Sequence, residues 1–402
     1  LVAWLSPAAR AICVRGEGEE ALVGLVRLLM DVGREGLAQA ALATGVPNLV
    51  LNLGGAVQHS PRRNIQLEGA AAPRRQHVAE LVARGGIVRA EASRGCSYGR
   101  CSFCAIQEKY CGQALWRPVP VSRVVGELAE LSACGARHPY YTDEDFVGRD
   151  PQRCIALAEA IVAAKAEGRI ASDMSLYLDL RVASVLQAAR GIRPSGEQVL
   201  DALITAGLRE VFVGIESGAK EQVRRYQKAA SAERNLRALE LLRRKGLAVD
   251  VGFIMFDPEM RLEELRLNLD FLRASGLWDH DARLTKALRL QAGTPQLAEY
   301  RAKELVAGPL DLDDLTHPYR WLDSRAQAVH EVFRAWEQEA MEPVYLLQSA
   351  TRGEVPCEEQ RRFLRAVLGQ VRVAELGALE VLVDAALKGR DPAGVELGAF
   401  SW

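Results

Sequence analysis

Residues Glu91 to Tyr110 read EASRGCSYGRCSFCAIQEKY and gather Cys96, Cys101 and Cys104 into one loop, with Cys111 just beyond it. Cysteines this close in a chain without disulfide-scaffold character point to a soft metal centre. Spacing admits two centres. One is a structural zinc with Cys111 as fourth thiolate; the other is an iron–sulfur cluster held by three cysteines. A zinc knuckle usually draws its ligands in pairs from separate hairpins. Here Arg94-Gly95 leads into a single compact loop that ends at Phe103-Cys104.

Outward from the loop, a strand-then-helix rhythm runs through the middle of the chain. Short apolar runs at about Gly86–Ala92, His138–Asp143, Met174–Asp179, Arg209–Ile215, Ala248–Phe256 and Arg283–Leu290 alternate with segments of helical period such as Val121–Cys134. This rhythm predicts a parallel sheet with helices outside it, an α/β fold of the partial (β/α)6 TIM-like barrel type. In such barrels ligand chemistry gathers at the C-terminal strand ends. Those ends carry the polar sequences Thr142-Asp-Glu-Asp-Phe146, Arg181, Gly214-Ile-Glu-Ser-Gly218, Asp257-Pro258 and Ala292-Gly-Thr-Pro295. Taken singly, Asp143, Glu144 and Asp145 read as a solvated acidic turn, and Arg181 and Lys228 as surface cations.

The cysteine loop, with Phe103 directly before its last cysteine, resembles the cluster loop of the radical SAM superfamily, which follows the first barrel strand. The likeness extends over residues 90 to 300 and includes the GIESG sequence. It departs in placing four residues, Ser97 to Arg100, between the first two cysteines, where the family usually has three. The departure bears on the loop's conformation and leaves its ligand count intact. The resemblance implies that Cys96, Cys101 and Cys104 bind a [4Fe-4S] cluster with one iron open to S-adenosyl-L-methionine (SAM). It implies that Asp143 and Glu144 receive the SAM amino group, although the family's common Gly-Gly-Glu is missing, and that Arg181 pairs with the SAM carboxylate. Glu216 and Ser217 would face the SAM ribose and carboxylate, Lys228 a polar part of the same ligand, and Phe103 the adenine.

Residues 1–85 read as a strand at Ala11–Arg15, a Gly-rich turn at Gly16–Glu20, a helix over Ala21–Val32 and, from Asn48 to Ala72, a surface linker. The glutamates of the turn suit a helix N-terminus. The stretch is similar to the tail of the cobalamin-binding domain that precedes the barrel in one radical SAM subgroup. It lacks an Asp-x-His-x-x-Gly loop, and the few residues before Arg15 cannot build a doubly wound sheet. Cobalamin is therefore not expected in this chain. The barrel is assigned to residues 86–302. Residues 303–402 form a C-terminal helical region, with helices at Ala326–Met341, Glu358–Leu368 and Val373–Leu387. Trp321, Trp336 and Tyr345 are expected in its core, and His317 and His330 read as structural.

Composition bounds the rest. Of 402 residues 49% are hydrophobic and 26% charged, with a formal net charge of −1, so no global basic surface favours nucleic acid. Apolar runs are too short for a bilayer, and the first residues lack a secretory pattern, which predicts a cytoplasmic protein without membrane contact. Cys13, Cys134, Cys154 and Cys357 then read as buried small hydrophobes.

The reading favoured is a radical SAM enzyme acting on a small polar biosynthetic intermediate, of sugar or aminoglycoside type, by dehydration, epimerisation or rearrangement. It is similar to secondary-metabolite enzymes such as the aminoglycoside radical diol dehydratases. An external one-electron reductant of flavodoxin or ferredoxin type is implied. The alternatives are a cobalamin-dependent radical SAM C-methyltransferase and a zinc-binding interaction module; RNA methylthiolation fits less well, since the C-terminal region is helical rather than a small basic β-barrel.

Overall fold

The computed structural model describes residues 11–113, 115–187, 194–338, 341–353 and 358–400. The first three strands, β1 (Ile12–Val14), β2 (Leu49–Leu53) and β3 (Ala56–His59), form an antiparallel sheet of order β1-β2-β3. The helix Glu19–Ala43 covers it through Ala21 and Ala41, which pack with Val46, Leu49 and Leu51. This helix breaks its geometry at Gly33, where φ is 68°, close to the expected end at Val32, and then continues to Ala43. The segment read as a surface linker is more ordered than expected. It pairs as the β2–β3 hairpin and buries Asn48, Ile65 and Leu67. Asn48 Nδ2 donates to the carbonyls of Glu17 and Arg63, each at 2.8 Å, tying the hairpin to the turn before the helix. The three strands thus pair antiparallel, whereas a doubly wound domain pairs its strands in parallel.

The barrel sheet has the order β10-β9-β8-β7-β4, built from β4 (Arg89–Ala90), β7 (Tyr140–Tyr141), β8 (Leu176–Leu180), β9 (Leu208–Glu216) and β10 (Ala248–Phe253). Every neighbouring pair is parallel, as the strand–helix alternation predicts. Between β4 and β7 a two-stranded antiparallel stem, β5 (Ser93–Arg94) with β6 (Arg117–Pro118), holds the cysteine loop. Outward-facing positions such as Leu178, Val211, Val213, Val249 and Val251 are buried under helices that include Val121–Ala133, Pro151–Ala166 and Ala232–Arg244. The inward positions alternate with them and are polar or aromatic: Tyr140, Tyr177, Asp179, Glu210, Phe212 and Asp250.

The sixth strand, expected at Arg283–Leu290, is reduced to one parallel bridge between Phe256 and Ala287. Leu288 N donates to Phe256 O at 2.7 Å, and then the chain peels away. Leu288 and Leu290 bury themselves in a separate cluster with Leu297, Tyr300 and Leu305.

Three helices follow, Ser324–Glu337, Met341–Arg352 and Glu358–Leu387. The last joins two segments that were expected to be separate. Gly369 lies inside it, at a point where the helix passes so close to the Asp279 carbonyl that a Cβ would lie 2.5 Å from it. Trp321 and Trp336 pack half-buried on the main core, as expected. Tyr345 does not: it is 52% exposed, and its hydroxyl accepts from Arg283, whose guanidinium lies 5.2 Å from the ring centroid. His330 sits against Phe256 and Trp321, where burial pushes its pKa down to about 4, and His317 is buried. Cys154 is buried and Cys13 and Cys134 are half-buried, while Cys357 lies outside the described residues. The new helices also reach the barrel's inner face: Arg352 pairs with Asp250, and Arg365 with Glu210 at 2.5 Å. No helix among the described residues is long and apolar enough to cross a membrane.

Candidate active site

The loop that carries the cysteines starts at Gly95, where φ is 89° and a Cβ would lie 2.1 Å from the Leu115 carbonyl, so this position requires glycine. Farther on, Ser102 fixes it to two remote segments. Ser102 N donates to Tyr226 O at 2.9 Å, and Gln296 N donates to Ser102 O at 2.9 Å. Cys96, Cys101 and Cys104 line one cleft of about 940 Å³, part of it open to solvent. Burial pushes the Cys101 thiol up to about 11, against the pull of the Lys228 charge, and it raises Cys104 likewise. Such thiols become thiolates when a metal binds them. Cys111 does not line the cleft; its φ is 60°, and its thiol donates to Asn64 Oδ1 at 3.2 Å.

The donor set suits an iron–sulfur cluster: three thiols line one cleft, and such a cluster takes each protein ligand at a separate iron.

Of the other residues named from sequence, Phe103, Glu144, Arg181, Glu216 and Lys228 line the same cleft. Arg181 follows β8 directly; its Nη1 donates to Ser97 Oγ and to Asp145 Oδ2, the latter at 3.3 Å, and its guanidinium lies 5.2 Å from the Tyr98 ring centroid. Glu144 Oε2 accepts from Gly95 N at 2.9 Å and Oε1 from Tyr110 Oη at 2.9 Å, which binds the strand end to the cysteine loop. Glu216 ends β9 at φ 66° and pairs with Lys228 at 2.7 Å, an unusual backbone for a side chain of this size. Phe103 meets Tyr226 edge-on, with ring centroids 5.2 Å apart.

Two of the named residues lie elsewhere. Asp143 is fully buried behind the cleft, where it accepts from Ala92 N at 3.0 Å and from Ser93 Oγ; burial raises its pKa to about 7. Ser217 is also fully buried, accepting from Ala219 N at 2.9 Å with its Oγ 2.6 Å from Gln222 Oε1. The left-handed backbone at Glu216 turns the following side chain away from the cleft and into the core.

Sequence reasoning passed over Asp145, which the structure makes the hub of the wall. Fully buried, it accepts from Ser97 N at 3.2 Å, from Ser97 Oγ, from Ser184 Oγ at 3.3 Å and from Arg181, while its carbonyl accepts from Trp116 Nε1 at 2.8 Å. The available signal was the apolar Phe146-Val147 that follows, since a solvated turn does not run straight into two core residues.

Comparison with known proteins agrees with this geometry. The family profile of the radical SAM superfamily matches residues 91–272. The chain is 32% identical over 232 residues to 4'-phospho-dehydrooxetanocin synthase of Priestia megaterium, a match covering 54% of this chain and 30% of that protein. The chain thus spans less than a third of that relative's length. Among solved structures, it is similar in fold to the cobalamin-dependent S-adenosylmethionine radical enzyme OxsB (TM-score 0.75, 21% identity, 97% of this chain and 61% of that one). It is also similar to the radical S-adenosylmethionine methyltransferase TsrM of Kitasatospora setae (TM-score 0.58, 18% identity, 94% and 77%). The cysteine loop, the parallel half-barrel and the family match coincide: residues 91–272 of this chain are a radical SAM domain.

Proposed function

We propose that the chain is the catalytic part of a radical SAM enzyme that takes a hydrogen atom from a small polar biosynthetic intermediate of sugar or aminoglycoside type. The observation that carries this reading is the single cleft shared by Cys96, Cys101, Cys104, Arg181 and the Glu216–Lys228 pair. Cys96, Cys101 and Cys104 would hold a [4Fe-4S] cluster. When bound, that cluster and SAM supply one-electron cleavage of the sulfonium and a 5'-deoxyadenosyl radical, the electron coming from an external flavodoxin- or ferredoxin-type reductant. The chain's own residues bind and orient. Arg181 offers a cation to a carboxylate, Glu144 an anion to an ammonium, and Glu216 an acceptor for ribose hydroxyls. Tyr98, Phe103 and Phe212 supply apolar wall that keeps water from the reacting centre.

Anaerobic reconstitution with iron and sulfide, followed by dithionite and SAM, is expected to yield 5'-deoxyadenosine; a folded, iron-loaded protein that forms none sinks the reading. Dehydration, epimerisation or rearrangement is the favoured outcome for the substrate. A second reading, a cobalamin-dependent C-methyltransferase, is favoured by the likeness to OxsB and TsrM over nearly all of this chain, and it replaces the expectation of a reaction without cobalamin if the product gains a methyl group in the presence of methylcobalamin.

A further inference from the structure

Asp179 lies two residues before Arg181 on β8, so its side chain falls on the same inward face and lines the same cleft. Its Oδ2 accepts from the Tyr140 hydroxyl of β7 at 3.2 Å, whereas Oδ1, shielded from solvent, has no hydrogen-bond partner among the described residues. Leaving a buried acceptor unpaired costs on the order of 1–3 kcal/mol, and such a group calls for a functional account.

The charged and titratable groups that face it come from every packed element: Tyr140 and Asp143 from β7 and the turn after it, Asp250 from β10, and Arg352 from the helix Met341–Arg352. Burial is the largest influence and raises its pKa to about 8. Asp143 and Asp250 push the same way, and the Tyr140 hydrogen bond and the Arg352 charge oppose them. Because Tyr140 donates to Oδ2, that oxygen stays an acceptor, and the proton comes and goes at Oδ1.

We propose that Asp179 Oδ1 is a substrate-binding, proton-exchanging group at a hydroxyl of a neutral sugar- or cyclitol-type substrate, donating a hydrogen bond to it when protonated and accepting one when ionised, with Tyr140 as its positioning residue. On transfer the substrate O–H bond breaks, its electron pair stays on the substrate oxygen and the proton forms the Oδ1–H bond; the reverse step returns it. A hydroxyl suits the place better than an ammonium, since Arg181 and Lys228 already bring positive charge to the cleft and Arg352 brings it from below. The proposal rests on the radical SAM reading of the cleft.

The test labels the reconstituted full chain with dicyclohexylcarbodiimide, an apolar reagent that adds to protonated carboxyl groups in shielded sites, and maps the adducts by mass spectrometry. Asp179 is expected to label at pH 7 and to lose roughly ten-fold by pH 9 as it ionises. In Tyr140→Phe the midpoint should move upward, because the lost hydrogen bond favoured the ionised form. SAM alone should leave the labelling unchanged, and myo-inositol or deoxyribose added with SAM should suppress it. Absence of labelling at pH 7, full protection by SAM alone, or protection by putrescine but by neither neutral probe overturns the proposal. The same preparation is assayed for 5'-deoxyadenosine. If it forms while Asp179 stays unlabelled, the proposal falls alone; if it does not form, the radical SAM reading falls and takes the substrate role with it.

Discussion

At the scale of single residues the wall of the cleft depends on Asp145, because one buried carboxylate holds both the start of the cysteine loop at Ser97 and the guanidinium of Arg181. Asp145→Ala leaves Arg181 next to a vacated acceptor and should lower stability by on the order of 3 kcal/mol, read by urea unfolding. Iron uptake on reconstitution should fall with it, and a variant as stable and as iron-rich as the parent would remove Asp145 from this role. The cysteines give a sharper contrast. Cys96, Cys101 or Cys104 replaced by Ala should each abolish the cluster's visible absorbance, whereas Cys111→Ala should leave iron content unchanged, since its thiol meets Asn64 outside the cleft. The cysteines, Arg181 and Glu216 were legible in the sequence because their residue types are rare at such spacings or strand ends. Asp145 was not, since a run of three acids looks the same whether it faces water or a buried serine. Asp179 could have been found: a carboxylate inside the apolar run Leu176-Tyr-Leu-Asp-Leu180 breaks the strand's pattern and needs an explanation.

Elements set which of those residues can meet. At the end of β9 the register with β10 shifts, Phe253 pairing with Glu216, and the backbone of Glu216 enters the left-handed region. A non-glycine residue there carries roughly 1 kcal/mol of strain. Glu216→Gly should therefore be more stable than Glu216→Ala by about that amount, the reverse of the usual order within a strand, while both variants lose affinity for SAM. Thermal unfolding of the pair and equilibrium SAM binding check this; a more stable Ala variant would contradict the backbone geometry. This bend also separates the two polar residues of GIESG. Successive residues of a strand point to opposite faces, so Glu216 lines the cleft while Ser217 packs into the core, although the family resemblance names both. The sixth strand failed for a related reason. Its apolar pattern was real, but Leu288 and Leu290 serve a separate small cluster.

For the whole molecule, the inner face of the barrel and the C-terminal helices share their charges. Burial by itself would raise the pKa of Glu210, but the His138 ring 3.6 Å away and the charge of Arg365 outweigh it and hold it below the ordinary 4.5. A depressed carboxylate contributes stability that is present above the unfolded value and is lost as pH falls through the folded one. Arg365→Ala should thus cost on the order of 2 kcal/mol at neutral pH, and its deficit against the parent should shrink below about pH 4.5, measured by urea unfolding across that range. A deficit independent of pH would assign the loss to packing instead.

The pairing of Arg352 with Asp250 and of Arg365 with Glu210 has a consequence for descent as well as for folding. Recombination that exchanged the C-terminal helices between related chains would strand two carboxylates inside the barrel unless β9 and β10 travelled with them. The two regions are therefore bound to be inherited together.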